Sequence, residues 1–167
     1  MNRTPTMPRL PATAQPDSFP RRAARLLLSG PASLTSTAAR WAVTLLAVAG
    51  AGLLVWSGVI HLQLWSDGYR SISVIGPLFL IQGIASMVLA VALVAFRRLV
   101  LLAAGAVLAV STAAGLLLSA GIGLFGYQES LAVPYAETSL VVEFTSAAVL
   151  AAAAVIVLAA PLLRRRS

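Results

Sequence analysis

Residues 41–65 read WAVTLLAVAGAGLLVWSGVIHLQLW, a continuous stretch without a charged side chain. An α-helix rises about 1.5 Å per residue, so about 20 apolar residues cross the ~30 Å hydrocarbon core of a bilayer. Trp41 and Trp65 mark its ends, where aromatic rings favour the membrane interfaces. The stretch is too long for the roughly 7–15 apolar residues of a cleaved signal peptide. It therefore predicts a retained transmembrane helix.

Three more segments of this kind follow, at about residues 72–96, 99–125 and 137–163. They are continuously apolar, whereas the strands of membrane barrels alternate apolar and polar residues. In lipid each segment must satisfy its own backbone hydrogen bonds, which favours helices. The connections at 65–73, 97–98 and 126–136 are short, so consecutive helices should run antiparallel. The sequence predicts an all-α membrane protein, an antiparallel bundle of four transmembrane helices.

Composition agrees with a chain that faces lipid. Of its residues 59% are apolar and 10% are charged, against about 25% charged in average proteins. The net charge of +7 does not indicate nucleic-acid binding, because the arginines lie in short clusters between apolar segments. The chain has no cysteine, which excludes disulfides, thiolate metal sites and thiol catalysis.

Arginine placement predicts the topology. Threading four helices puts eleven of the twelve basic residues on one side: Arg3, Arg9, Arg21, Arg22, Arg25, Arg40, Arg97, Arg98, Arg164, Arg165 and Arg166. Only Arg70 falls on the other side. Because cytoplasmic loops are enriched in basic residues, we expect both termini in the cytoplasm and a multi-pass protein of the plasma membrane.

The terminal segments are predicted to lie outside the bundle. Residues 1–40 are rich in proline and arginine and are predicted to be a disordered cytoplasmic tail, and residues 164–167 form a basic C-terminus. Within the tail, residues 21–28 read RRAARLLL. The simpler interpretation is an unstructured positive flank that fixes topology. The alternative is a segment lying on an anionic membrane surface, where each arginine is worth about 1 kcal/mol.

A stripe of small residues recurs every four positions on the third segment, at Ser111, Gly115, Ser119 and Gly123. Such stripes let helix backbones approach closely in lipid. We interpret this one as packing inside the bundle. The alternative is that it faces another membrane protein or a second copy of the chain.

Polar side chains inside lipid are costly and often functional. His61, Gln82 and Glu143 all fall in the extracytoplasmic half of the predicted bundle, at depths close enough for a polar cluster. Two sets of outer-loop residues are predicted to cap it: Asp67, Tyr69 and Arg70 in the first loop, and Tyr127, Gln128, Glu129 and Tyr135 in the second.

The simplest interpretation of this cluster is a structural hydrogen-bond network near the interface. A proton relay, a metal site or a pocket for a polar ligand such as a quinone head group remain alternatives. His61 is the one histidine of the chain, which argues against a bis-histidine haem within one copy and against a histidine-rich metal site. No metal ligand set is assigned, and the cofactor is left open.

One stretch carries a resemblance. Residues 61–82, HLQLWSDGYRSISVIGPLFLIQ, resemble a segment of small actinobacterial membrane proteins with four predicted helices. GLFGY at 123–127 and the glutamate of the last helix are also similar. The resemblance covers roughly residues 50–160. It implies a four-helix integral membrane fold and a bacterial plasma membrane, and it implies no activity.

Two functions of different classes follow. The chain lacks a glycine-rich phosphate loop, a nucleophile elbow and an HExxH motif, so no catalytic residues are assigned. The first hypothesis is a non-catalytic accessory or scaffold protein that binds another membrane protein through the small-residue stripe. The second is a small transport or redox-associated membrane protein that uses the outer polar cluster.

Overall fold

A computed structural model describes residues 19–132 and 135–163 of the chain. Five α-helices account for most of these residues: α1 Phe19–Leu27, α2 Thr37–Ser66, α3 Ile75–Phe96, α4 Leu99–Gly121 and α5 Ala136–Leu163. Single 3₁₀ turns lie at Pro31–Ser33 and Tyr69–Ser71, and no β-strand occurs in the described ranges. The helices α2 to α5 are long and apolar enough to cross a membrane. The predicted all-α fold with four helices able to span a membrane is therefore confirmed in the described residues.

The helix α2 begins at Thr37, about four residues earlier than predicted. Ser36 caps it, because its side chain accepts a hydrogen bond from the Ala39 N–H at 3.4 Å. Arg40 therefore lies in the first turn of the helix rather than in the tail. Its Nε donates to the Leu34 carbonyl at 2.7 Å, which holds the charge at the helix end.

The helix α4 is shorter than predicted and ends at Gly121 rather than near residue 125. Gly123 and Gly126 have φ of +80°, a left-handed conformation that glycine adopts without strain. The Gly123 N–H donates to the Ser119 carbonyl at 3.2 Å as the chain leaves the helix. Gly123, the last member of the predicted stripe, thus lies in the connection and not on the helix.

The structure also corrects the prediction of a disordered tail for residues 19–40. Residues 19–27 form α1, and the N–H of Leu99 donates to the Ser29 carbonyl at 2.8 Å. The Arg98 side chain donates to the Leu28 carbonyl. The first turn of a helix has unpaired N–H donors, and here the segment after α1 accepts one of them. Residues 1–18 and the basic residues 164–167 lie outside the described residues.

The four spanning helices form an incomplete ring. The helix α2 packs against α3 and α5, and α5 packs against α4, but α3 and α4 contact each other much less. The buried hydrophobic core lies towards the end of the bundle that holds Arg97. There a Cβ placed on Gly105 would lie 2.6 Å from Leu150 Cδ1, which shows how closely α4 and α5 approach.

The two ends of the bundle are defined by long-range hydrogen bonds. At one end the Tyr69 hydroxyl donates to Glu129 Oε2 at 2.6 Å, which joins the first and third connections. We call this the loop end. At the other end the turn at Arg97 and Arg98 meets residues 28–30, and we call this the arginine end.

Candidate functional site

A cavity of about 270 Å³ lies at the loop end, where α3 and α4 separate. Most of its lining is apolar. Ile81 on α3 lines the cavity and is also 62% exposed at the bundle surface, so the wall reaches the outside of the bundle. On the opposite wall α4 contributes Leu116 and the small residues of its stripe. The gap in the helix ring therefore opens sideways, towards the position of the surrounding lipid.

Three members of the predicted stripe, Ser111, Gly115 and Ser119, line this cavity. A Cβ placed on Gly115 would have no atom within 4 Å, so no other helix packs against this glycine in the described structure. Close approach occurs elsewhere. A Cβ on Gly58 would lie 3.1 Å from the Gly83 carbonyl oxygen, where α2 meets α3. Within one copy of the chain the stripe borders an open space, and whether it faces a partner stays a prediction.

Glu129 is the charged group of the cavity wall, and its carboxylate is well supplied with donors. The Tyr69 hydroxyl lies 2.6 Å from Oε2, the Tyr127 hydroxyl lies 3.3 Å from each oxygen, and the Ser130 N–H donates to Oε1 at 3.0 Å. Burial, and then the hydrogen bond to Glu129, raise the pKa of the Tyr69 phenol above its usual value. Tyr69 is thus a neutral donor to a buried carboxylate at physiological pH.

Aromatic rings at the loop end hold one another in place. Tyr69 stacks on Phe79 with ring centroids 4.7 Å apart, and Tyr127 meets Tyr69 edge to face at 6.0 Å. Phe79 in turn lies 5.2 Å from the His61 ring. Stacked and edge-to-face pairs are favourable beyond their burial, so these contacts tie the first connection to α2 and α3.

His61 lines the cavity with a defined orientation. Its Nδ1 lies 2.9 Å from the Ser57 carbonyl oxygen, one turn earlier on α2. A carbonyl oxygen only accepts hydrogen bonds, so Nδ1 carries the proton. In the neutral ring Nε2 is then an acceptor, available to a group that donates a hydrogen bond.

Glu143 lies behind this wall, in the core of the bundle. It is 1% exposed, and the Ser57 hydroxyl donates to its Oε1. Its Oε2 has no hydrogen-bond partner in the described part of the chain. Ser57 therefore connects His61 and Glu143, two residues of the predicted polar cluster. Its carbonyl accepts a hydrogen bond from His61, and its hydroxyl donates one to Glu143.

Gln82 also lines the cavity, and its Nε2 donates to the Ser86 hydroxyl at 3.3 Å. The three residues of the predicted polar cluster are thus divided. His61 and Gln82 face the cavity, whereas Glu143 is not part of its lining.

The predicted caps are divided in the same way. Tyr69 of the first loop and Tyr127, Glu129 and Tyr135 of the second line the cavity. Asp67 and Arg70 are exposed and do not line it, and Asp67 accepts instead from the neighbouring Ser66 hydroxyl at 3.3 Å. Gln128 is exposed and donates to the Ala120 carbonyl at 3.4 Å.

Ser119 is a buried polar residue of the cavity wall whose hydrogen bonding is incomplete in the described structure. It is 6% exposed, and its hydroxyl has no hydrogen-bond partner in the described residues. A buried polar group left unpaired costs roughly 1–3 kcal/mol. A polar group that entered the cavity beside Ser119 would remove that cost.

Sequence reasoning missed Ser57 and Phe79. Ser57 precedes His61 by four residues, the spacing of neighbours on one helix face, so it could have been included. Phe79 carried no such signal, because one aromatic residue in an apolar helix is common.

The site as a whole offers hydrogen bonds and apolar contact. Among the described residues, no three His, Asp or Glu side chains come together in a way that would hold a metal ion. Comparison of the chain with protein-family models, with curated proteins and with solved structures finds no match. The chemistry of the cavity is therefore the basis for assigning a function.

Proposed function

We propose that the chain binds a neutral, amphipathic molecule of the bilayer in the cavity between α3 and α4. The observation that carries the proposal is the buried hydroxyl of Ser119, which has no hydrogen-bond partner among the described residues, beside the open space at Gly115. The proposal follows the second hypothesis from the sequence, a small transport or redox-associated membrane protein, in the version in which the polar cluster binds a ligand.

The charge of the lining favours a neutral polar group on the ligand. None of the described arginines lines the cavity, so an anionic head group would meet Glu129 without a counterion. A cation would find Glu129 already engaged by three donors and the Tyr69 ring stacked on Phe79. A hydroxyl group suits the site better, because it can donate to His61 Nε2 and accept from Ser119.

The size and position of the cavity favour a ligand that also has an apolar part. Ligand pockets usually measure about 300–1,000 Å³, so a cavity of about 270 Å³ suits the polar end of a lipid-like molecule rather than the whole of it. Leu78 and Ile81 on α3 and Leu116 on α4 provide the apolar lining. The rest of the ligand would extend through the gap between α3 and α4 into the bilayer.

The orientation that we propose is a bacterial plasma membrane with both termini in the cytoplasm. Its support is the sequence, in which threading four helices puts eleven of the twelve arginines on one side, together with the resemblance of residues 61–82. The cavity would then open in the extracytoplasmic leaflet.

Binding of a hydroxyl-bearing probe tests the proposal. Purified protein in nanodiscs is titrated with a pyrene-labelled long-chain alcohol, and with the matching fatty acid and alkylammonium. We expect saturable binding of the alcohol in preference to both charged probes. Gly115→Leu should fill the cavity and weaken alcohol binding at least tenfold, since no atom of the described residues lies within 4 Å of the position its Cβ would take.

The matched control is Gly52→Leu. Gly52 is exposed on α2 and also has open space where its Cβ would be. If Gly115→Leu, Gly52→Leu and the wild-type protein bound the alcohol equally well, the cavity would not be the binding site. Preference for a charged probe would contradict the neutral-ligand assignment.

The accessory or scaffold function remains the second candidate, because the small residues of α4 border an opening that a helix of another membrane protein would also fit. Cross-linking in native membranes from Ala114→Cys, an exposed position next to Gly115, tests it. A defined protein adduct that is lost when Gly115→Leu is added, together with no alcohol binding, would favour this candidate.

A further inference from the structure

We propose that α1 is an interfacial helix that binds anionic phospholipid head groups at the arginine end. It is a site separate from the cavity, and it does not depend on the ligand proposed above. The inference stands on three observations: the amphipathic sequence of α1, its attachment to α4, and the charge around it.

The nine residues of α1, FPRRAARLL, separate by polarity when they are wound into a helix. At 100° per residue Phe19, Leu26 and Leu27 fall on one face, while the arginines fall on the other. The apolar face has no cover in the described structure, because Phe19 is 85% exposed and Leu27 is 46% exposed. Such a face needs an apolar surface to lie against.

The attachment of α1 decides what that surface is. Leu28 and Ser29, which follow α1, accept hydrogen bonds from Arg98 and Leu99 at the start of α4. Gly30 lies so close to this turn that a Cβ would be 2.7 Å from the Arg97 carbonyl oxygen. The end of α1 is therefore held at the level where α4 enters the hydrocarbon. At about 1.5 Å per residue the helix is about 13 Å long, so it stays within reach of the head groups.

Charge then identifies the binding partner. Arg21, Arg22 and Arg25 on α1 lie at the same end as Arg97 and Arg98. The acidic residues of the described ranges belong to the loop-end half of the bundle: Asp67, Glu129, Glu137 and Glu143. Basic segments next to a membrane bind anionic lipids. A second copy of the chain would instead bring another set of arginines to the same place, and residues 1–18 carry more basic than acidic residues.

A fluorescent reporter on α1 tests the inference. The chain has no cysteine, so Phe19→Cys gives one attachment point for NBD, an apolar dye whose emission rises in lipid. Labelled protein is placed one copy per nanodisc, in phosphatidylcholine alone or with 30% phosphatidylglycerol. We expect brighter, blue-shifted emission in the anionic discs, quenching by spin-labelled lipid, and loss of the difference in high salt.

Removal of charge gives the matched comparison. The triple variant Arg21→Gln, Arg22→Gln and Arg25→Gln should weaken the response to phosphatidylglycerol about fivefold per arginine. Replacing Arg164, Arg165 and Arg166 by Gln removes the same charge from the C-terminus and should leave the response unchanged. Circular dichroism confirms that both variants keep the bundle.

Three outcomes would overturn the inference. Equal emission in neutral and anionic discs would show that α1 does not select anionic lipid. An equal loss in the two triple variants would assign the effect to net charge. If deleting residues 2–16 abolished the emission difference between anionic and neutral discs, the response would depend on the segment that precedes α1 and not on α1 itself.

Discussion

Tyr69 and Glu129, sixty residues apart in the chain, form a hydrogen bond of 2.6 Å that closes the loop end of the bundle. It links the connection between α2 and α3 to the connection between α4 and α5. Both residues line the cavity, so the same contact that joins the two connections also shapes the site.

We expect Tyr69→Phe to destabilise the protein by roughly 1–3 kcal/mol, because it removes the shortest hydrogen bond to the buried carboxylate of Glu129. Thermal unfolding in detergent, followed by circular dichroism, measures the change. Tyr135→Phe is the control, since Tyr135 is 46% exposed on the same cavity. Equal shifts in melting temperature for the two variants would contradict this role of the Tyr69 hydroxyl.

Alkaline pH should weaken the fold through the same phenol. The raised pKa of Tyr69 keeps its proton bound in the folded state, whereas the unfolded chain releases it near the ordinary value of about 10. The unfolded state then binds fewer protons, so stability is complete below about pH 10 and falls as pH rises above it. The chain has no lysine or cysteine that titrates in this range. The stability of the protein, measured by unfolding between pH 8 and pH 12, should fall less steeply in Tyr69→Phe than in the wild type. An identical pH profile for the two proteins would refute the assignment to Tyr69.

Gly76→Ala should displace the turn that carries Tyr69 at the loop end, although Gly76 itself does not line the cavity. A Cβ on Gly76 would lie 2.7 Å from the Tyr69 carbonyl oxygen and 2.8 Å from that of Arg70, and backbone atoms cannot move aside cheaply. We expect a loss of about 1–3 kcal/mol and weaker alcohol binding in the cavity. Gly52→Ala, where no atom lies within 4 Å, is the control and should change neither. Wild-type behaviour of Gly76→Ala would show that the turn at Tyr69 tolerates displacement.

Glu143 should act on stability rather than on ligand binding, because it lies in the core behind Ser57 and outside the cavity lining. Glu143→Leu removes the acceptor of the Ser57 hydroxyl and should cost roughly 1–3 kcal/mol. Glu143→Gln keeps an acceptor and should cost less. A tenfold loss of alcohol binding in Glu143→Gln, with stability unchanged, would give Glu143 a direct role in the site.

Thiol labelling checks the proposed orientation. Ser130→Cys at the loop end and Ala32→Cys at the arginine end are both exposed positions in a chain without native cysteine. A membrane-impermeant maleimide added to intact cells should label the first and not the second until the cells are opened. The reverse pattern would place the termini outside.

Much of the fold could be predicted from the sequence. Residues 41–65 and the three later segments specify spanning helices by themselves, because a backbone in hydrocarbon must pair within its own segment. Short connections then require antiparallel neighbours. His61 and Gln82 could be chosen as site residues for a similar reason, since polar side chains are rare and costly in lipid.

The end of α4 and the structure of the tail were less predictable. Apolar content continues past Gly121, but the chain leaves the helix where glycines at 123 and 126 take left-handed conformations. The proline content of the tail indicated disorder as a whole. It did not show that residues 19–27 form a helix whose end is held by hydrogen bonds to Arg98 and Leu99.

The sequence by itself determined which segments cross the membrane, because that depends on the apolar length of each segment alone. Only the tertiary structure decided that α3 and α4 separate at the loop end and that Glu143 bonds to Ser57 behind the cavity. It also decided that Ser119 faces this cavity with no hydrogen-bond partner among the described residues. These features depend on the distances between helices far apart in the chain. Side-chain shape sets those distances across the whole bundle, and no local pattern of residues records them.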